Sequence, residues 1–199
     1  MSDLKKMVIL DPVRIKKFLA LDNLEQGVAS GGQPAGVLMP LLRCNGETCL
    51  LFTRRSEKVL NHKGQVAFPG GAAEPFDESI VATALREAQE EIALPPSLVE
   101  ILGIMPALVS TSRFHVTPVV GWIHGEFEII PNPDEVARVF MIPVKWLRDP
   151  ANVEYRTLET PWERHENVVF YKPYDDEVVW GFTGALTVQF LKLIQVFGG

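Results

Sequence analysis

Apolar and polar positions follow two rhythms along this chain, and the switches between them mark its elements. Residues 35–43 and 48–54 are apolar runs around Asn45-Gly46, a dipeptide that favours the tight turn of a β-hairpin. Further strands are expected at residues 66–68, 99–109, 115–124 and 136–142, with a late hairpin from residues 167–172 and 178–180. Asp11-Pro12 supplies an N-cap and a first-turn proline for a short helix ending at Ala20. Val81, Ala84, Leu85, Ala88 and Ile92 recur at helical spacing, with Asp77 as candidate N-cap and Pro95-Pro96 as the stop. Residues 144–148 read as a brief helical turn. Residues 183–196 read as a final helix with Leu186, Phe190, Leu193 and Ile194 on its core side. Residues 21–34 are rich in Gly, Ser and Gln and read as a linker, so the chain divides into an N-terminal helix and linker (1–34) packing on a domain (35–199). Strands and helices in this order predict an α/β fold: an α/β/α sandwich built on a mixed β-sheet.

Three acids disturb the second of these helices. Glu87, Glu90 and Glu91 are expected to point away from the apolar stripe at about 100° per residue. Glu87 and Glu91 stand one turn apart, a like-charge pair that costs about 0.2–0.5 kcal/mol. Glu90 and Glu91 also lie near the C-terminal end, where the helix dipole disfavours acids by roughly 0.3–1 kcal/mol. Arg86 offsets Glu90 at i,i+4, but one cation does not neutralise three carboxylates. A solvated acidic face is the ordinary reading of such a triplet. Its place at the unfavourable end of the helix, behind the Gly70-Gly71 turn and directly after Arg86, favours a divalent cation instead. Hard oxygen ligands suit Mg²⁺ or Mn²⁺, ions that bridge protein carboxylates to phosphates.

Gly71, Arg86, Glu87, Glu90 and Glu91 together resemble the signature of the Nudix hydrolase family. Leu50-Leu51-Phe52-Thr53-Arg54-Arg55-Ser56 and Gly64-Gln65-Val66-Ala67-Phe68-Pro69-Gly70-Gly71 are similar to a second motif, which marks the coenzyme A pyrophosphatase branch. The resemblance runs from about Ala35 to Phe182. There are three departures from the pattern. The spacer after Gly71 is one residue longer, so Asp77 or Glu78 fills its first acidic position. Ala93 stands in place of a Gly, and Leu60 in place of an Arg common in the branch.

The resemblance implies a mixed sheet flanked by helices, with the signature as a loop-helix-loop. One-turn spacing makes Glu87 and Glu91 the primary metal ligands. Glu90 is a third ligand or the general base, and the carbonyl of Gly71 is a further candidate ligand. Glu90, Glu91 and Arg86 are the catalytic candidates, Arg86 by orienting a carboxylate through a bidentate pair. Arg54, Arg55, His62, Lys63 and Gln65 suit a phosphorylated adenosine. Gly70 would let backbone approach a diphosphate, and Arg113 and His115 offer a phosphate or adenine contact. Glu135, in a turn-rich loop, is an additional candidate base or ligand, with a surface turn acid as the alternative. The implied reaction is metal-dependent hydrolysis of the diphosphate of coenzyme A, or of its derivatives, to 3′,5′-ADP and 4′-phosphopantetheine. The alternatives are another nucleoside diphosphate derivative, such as ADP-ribose or a dinucleotide, and a non-catalytic nucleotide-binding regulatory module. The three carboxylates speak against the last.

Composition narrows the partners. With 199 residues, 47% of them hydrophobic, the chain is long enough for one full core. A formal charge of −6 argues against general binding to nucleic acid or anionic membranes. No apolar run approaches the roughly 20 residues of a spanning helix, and the N-terminus lacks a signal-peptide pattern, so a cytoplasmic protein is expected. In that compartment Cys44 and Cys49 are expected as reduced thiols. Trp146, Trp162 and Trp180 are expected in the core. The oligomeric state is left open, a homodimer through the apolar N-terminal helix included.

Overall fold

In the computed structural model, which describes residues 10–21, 32–159 and 163–195, β1 (Gln33–Cys44) and β2 (Glu47–Arg55) pair only near their turn, from Leu41 opposite Leu50 to Cys44 opposite Glu47. Asn45 and Gly46 both take positive φ (50° and 81°), as a two-residue hairpin turn requires. Beyond Leu41 the two strands part. The chain that follows fills the gap: β3 (Val66–Ala67) pairs with β2, and β4 (Gly70–Ala72) pairs with β1. Between them the carbonyl of Pro69 accepts the Leu38 N–H at 2.8 Å. Gly70 and Gly71 therefore sit inside the sheet.

On its other edge β1 runs parallel to β7 (Phe114–Ile123), which pairs antiparallel with β5 (Val99–Ile104) and β6 (Leu108–Val109). The outer edge of β2 carries β8 (Val136–Pro143). The result is a mixed eight-stranded sheet. The single strand expected over 99–109 is split in two. Its interruption, Met105-Pro106-Ala107, includes a residue with no N–H to give to the ladder.

Alternate residues of the central strands feed two cores. Leu38, Leu51 and Val119 pack under α2 (Ile80–Ile92), against Ala84, Ala88 and Ile92. Met39, Leu50, Phe52 and Val120 face the other way, toward α1 (Pro12–Leu21), α3 (Val144–Leu147) and α4 (Gly181–Gln195). Helices on both faces make this an α/β/α sandwich, the expected class. Two apolar side chains of α1 are spent inside the fold: Ile15 is fully buried and Leu19 nearly so, while Val13 is exposed.

Three other expectations are corrected. The late hairpin is formed by β9 (Val153–Glu159) and β10 (Arg164–Tyr171), while residues 178–180 supply only an isolated bridge from Trp180 to Phe170. β9 is mostly exposed, with the sequence Val-Glu-Tyr-Arg-Thr-Leu-Glu, and has no buried apolar face to betray it. Cys44 and Cys49 are joined in a disulfide, with Cα atoms 6.2 Å apart, rather than reduced. The two-residue turn brings them diagonally across the hairpin, within the span of a disulfide. The N-cap of α2 is Ser79, whose Oγ accepts the Ala82 N–H, and Asp77 is used elsewhere.

α2 ends in a left-handed cap at Ala93 (φ 58°, ψ 28°), whose N–H reaches the carbonyls of Ala88 and Gln89. A side chain at such a position is disfavoured. Ala93→Gly should raise stability by about 0.5–1 kcal/mol, the gain being reduced by glycine's freedom in the unfolded chain. A urea titration reads this as a higher midpoint at constant slope; an unchanged or lower midpoint contradicts it.

Candidate active site

The distance between α2 and the sheet is set by glycines. A Cβ on Gly36 of β1 would lie 2.6 Å from the carbonyl of Ile80, so the helix rests directly on backbone. Gly71, paired with Gly36 in the β1–β4 ladder, has the Glu87 carboxylate over it: a Cβ there would lie 2.5 Å from the carboxyl carbon. The glycine turn and the first acid of the helix thus form one surface.

Arg86 organises the acids. Its Nε and Nη2 donate to the two oxygens of Asp77, both at 3.0 Å, a bidentate pair. Nη2 also donates to the carbonyl of Ala72, and Nη1 to Glu87 (2.8 Å) and Glu90 (3.0 Å). Asp77 further accepts from the Thr83 hydroxyl and the Glu74 N–H, and its side chain is only 4% exposed. Arg86 foremost, then the Glu74 N–H, holds the Asp77 carboxyl well below the usual carboxylate range. Asp77 in turn holds the guanidinium charged. Of the two acids that could fill the lengthened spacer, Asp77 is the one that meets Arg86. Its expected role as a cap had masked that partnership.

Glu91 departs from expectation most. It is 3% exposed and lies on the buried side of α2 with Thr83, Ala84, Ala88 and Ile92. Its Oε2 is buried without a hydrogen-bond partner among the described residues. Burial pushes the carboxyl up to about 8, against the pull of Arg55, with Glu87 and Glu135 adding repulsion and the Gly70 N–H opposing it. Glu87 is also raised, first by burial and against the pull of Arg86. Glu135 follows the loop that docks on the end of α2, where the Asn132 N–H donates to the Glu91 carbonyl at 2.8 Å. Its charge is felt by both Glu87 and Glu91, so it belongs to this acidic group rather than to a remote turn.

Among the described residues no three His, Cys, Asp or Glu side chains converge as a finished cation cage. Glu87 and Glu90 turn to Arg86 instead. The donor set nevertheless fits a hard divalent ion. It offers carboxylate oxygens that repel one another, one of them buried and unpartnered, beside a glycine whose missing side chain leaves the approach open.

A cavity of about 900 Å³ adjoins this surface. Gly70, Gly71, Arg55, His62 and Gln65 line it. In this lining His62 (φ 57°) has Nδ1 3.0 Å from Gln65 Oε1 and Nε2 3.2 Å from the Ser112 hydroxyl. The remaining candidates stand elsewhere. Arg54 pairs with the buried Glu177 at 3.2 Å, Lys63 and Arg113 are exposed outside the lining, and His115 packs beside Gly32. Trp180, expected in the core, forms part of the cavity wall. Trp146 packs against the core, and Trp162 lies outside the described residues.

The NUDIX domain family matches residues 32–180 of this sequence. The chain belongs to that family. It is 46% identical over 155 residues to an uncharacterized Nudix hydrolase, NudL, of Pectobacterium atrosepticum, covering 78% of this chain and 79% of the relative. It is 41% identical over 163 residues to an uncharacterized Nudix hydrolase, NudL, of Yersinia pestis, covering 81% and 80%. The crystal structure of a MutT/nudix family protein from Enterococcus faecalis superposes with a TM-score of 0.50 at 15% identity, over 95% of this chain and 75% of that one, a likeness of fold. The protein is thus a Nudix hydrolase, an enzyme of the α/β/α sandwich type. Among its described residues no helix is long and apolar enough to cross a membrane.

Glu91 gives a stability signature in the metal-free protein. Between its ordinary value of 4.5 and the folded value of about 8, the folded chain holds a proton that the unfolded chain has released. Stability in EDTA should therefore fall as pH rises through that window. Glu91→Gln should lessen the fall, leaving the share that the raised Glu87 contributes, and melt higher than the parent at pH 8, with the gap closing toward pH 4.5. Parallel melting curves for the two proteins across the window contradict this assignment.

Proposed function

We propose that this Nudix hydrolase splits the diphosphate of coenzyme A into 3′,5′-ADP and 4′-phosphopantetheine, in the cytoplasm, with Mg²⁺ or Mn²⁺ as cofactor. One observation carries the reading. Arg55 and Gln65, from the segments similar to the coenzyme A motif, and His62, which lies between those segments, line the same cavity as Gly70 and Gly71 of the glycine turn. Three cationic or polar side chains and a backbone turn that tolerates close approach suit a phosphorylated nucleoside joined to a diphosphate.

Glu87, Glu91 and the Gly71 carbonyl would hold the cation, with Glu90 as a further ligand. When bound, it offsets the charge of the diphosphate and makes water more acidic. The chain's own groups do the rest. Arg86, anchored on Asp77, fixes Glu87 and Glu90. Arg55 faces Glu91 and brings positive charge to the side of the cavity where the diphosphate would lie. Glu90, which is exposed, and Glu91, whose Oε2 has no partner among the described residues, are the proposed acceptors of a proton from water.

Incubation with coenzyme A and Mg²⁺ in ¹⁸O-labelled water should give the two named products by mass spectrometry, with the label on one phosphorus, and EDTA should abolish turnover. Removing the 3′-phosphate, as in 3′-dephospho-coenzyme A, should lower kcat/KM. Equal rates with and without that phosphate would move the activity to other nucleoside diphosphate derivatives. Glu91→Gln should lower kcat by about 10²–10⁴-fold with the fold intact; full activity in that variant refutes its role.

A further inference from the structure

Glu135 meets the acids of α2 from a loop, and a loop leaves a carboxylate free to turn unless something holds it. The holding group here is Asn132, which engages every polar atom it has. Its N–H donates to the Glu91 carbonyl at 2.8 Å, at the end of α2, and its own carbonyl accepts the N–H groups of Glu135 (3.0 Å) and Val136 (2.7 Å). Its Oδ1 accepts the Asp134 N–H at 3.1 Å, and its Nδ2 donates to Glu135 Oε1 at 3.2 Å. A backbone N–H only donates, so the amide oxygen must face Asp134 and the amide nitrogen must face the carboxylate. Ser56, the residue after Arg55, anchors the loop from the other side. Its N–H donates to the Glu135 carbonyl at 2.8 Å, and its hydroxyl to the Pro133 carbonyl at 3.3 Å. The backbone of Glu135 is thus clamped between the end of α2 and the end of β2.

The two ends of the Asn132 amide do different work. The oxygen closes the turn. The nitrogen adds nothing to the turn, because its partner is the carboxylate alone. Lys58 pairs with the adjacent Asp134 at 2.8 Å, but the side-chain partner of Glu135 is this neutral amide, which holds the carboxylate without cancelling its charge. That charge is felt by both Glu87 and Glu91. We propose that Asn132 is a positioning residue of the reaction: its backbone ties the loop to the Glu91 carbonyl, and its amide nitrogen fixes the Glu135 carboxylate beside the acids of α2. This rests on those acids being the catalytic centre and is independent of the choice of coenzyme A as substrate.

Two substitutions separate the halves of the amide. Asn132→Asp keeps an oxygen for the Asp134 N–H and turns a repelling oxygen toward Glu135. Asn132→Ser also keeps an oxygen that can close the turn, removes the nitrogen and adds no charge. Steady-state kinetics with Mg²⁺ should show kcat lowered ~10–100-fold in both, with KM within ~3-fold of the parent, as expected when a reacting group is misplaced and binding is not. In a Glu135→Ala background, itself slow, Asn132→Ser should cost less than ~2-fold, because the two residues act as one. Parent-like kcat in Asn132→Ser and Asn132→Asp overturns the inference. So does a loss that appears in KM, or a loss of equal factor with and without Glu135, either of which marks a role in the loop alone. If the parent turns over ADP-ribose but not coenzyme A, the proposed function fails, and the same series on ADP-ribose decides the role of Asn132.

Discussion

The burial of carboxylates beside one another governs the centre of this molecule, with their mutual repulsion adding to the cost of desolvation. Glu87, Glu91 and Glu135 feel one another's charge, and Glu90 adds to the burden on Glu87. Left alone, such a group would drive α2 outward or take up protons. Two devices hold it. One is the single guanidinium of Arg86, which shares its N–H groups among three acids and a carbonyl and is itself fixed by the enclosed Asp77. The other is the tight seating of α2 on Gly36, which leaves the helix no easy outward path while Ala84, Ala88 and Ile92 remain buried. Arg86 reaches Glu87 and Glu90 but not Glu91. The electrostatic stress therefore concentrates on the one carboxylate with an unpaired buried oxygen, where a cation has most to gain.

Much of this architecture could be read from the order of residues, because strong local signals agreed with the tertiary packing. The Asn45-Gly46 hairpin, the apolar stripe of α2 and the proline stop behind it are all of that kind. What escaped either lacked a local apolar signal or depended on how one element is turned against another. β9 has no buried face of its own to announce it. The position of Glu91 on the buried side follows from the rotation of α2 against β1, which helical spacing alone does not fix. Periodicity placed all three acids outside the stripe, yet Thr83 and Glu91 took inner positions while Val81 and Leu85 stayed partly exposed.

The basic candidates divide for a similar reason. Arg54 and Arg55 are neighbours on a strand, where successive side chains part, and the register against β8 shifts between them. One meets the cavity, and the other meets Glu177, which also binds Arg138. A stretch of sequence rich in cations suggested a cluster; the pleat separates it. Asp77 shows the converse. A residue type that commonly caps helices is drawn away by a stronger, ionic partner, and a serine two positions later takes its place.

The parting of β1 and β2 has a mechanical consequence. Because the glycine turn lies between them as rungs of the ladder, it shares the stiffness of the sheet and cannot swing toward a ligand. The distance between the turn and the Glu87 carboxylate over Gly71 is therefore fixed by the same ladder that holds the sheet together, and not by the conformation of a free loop.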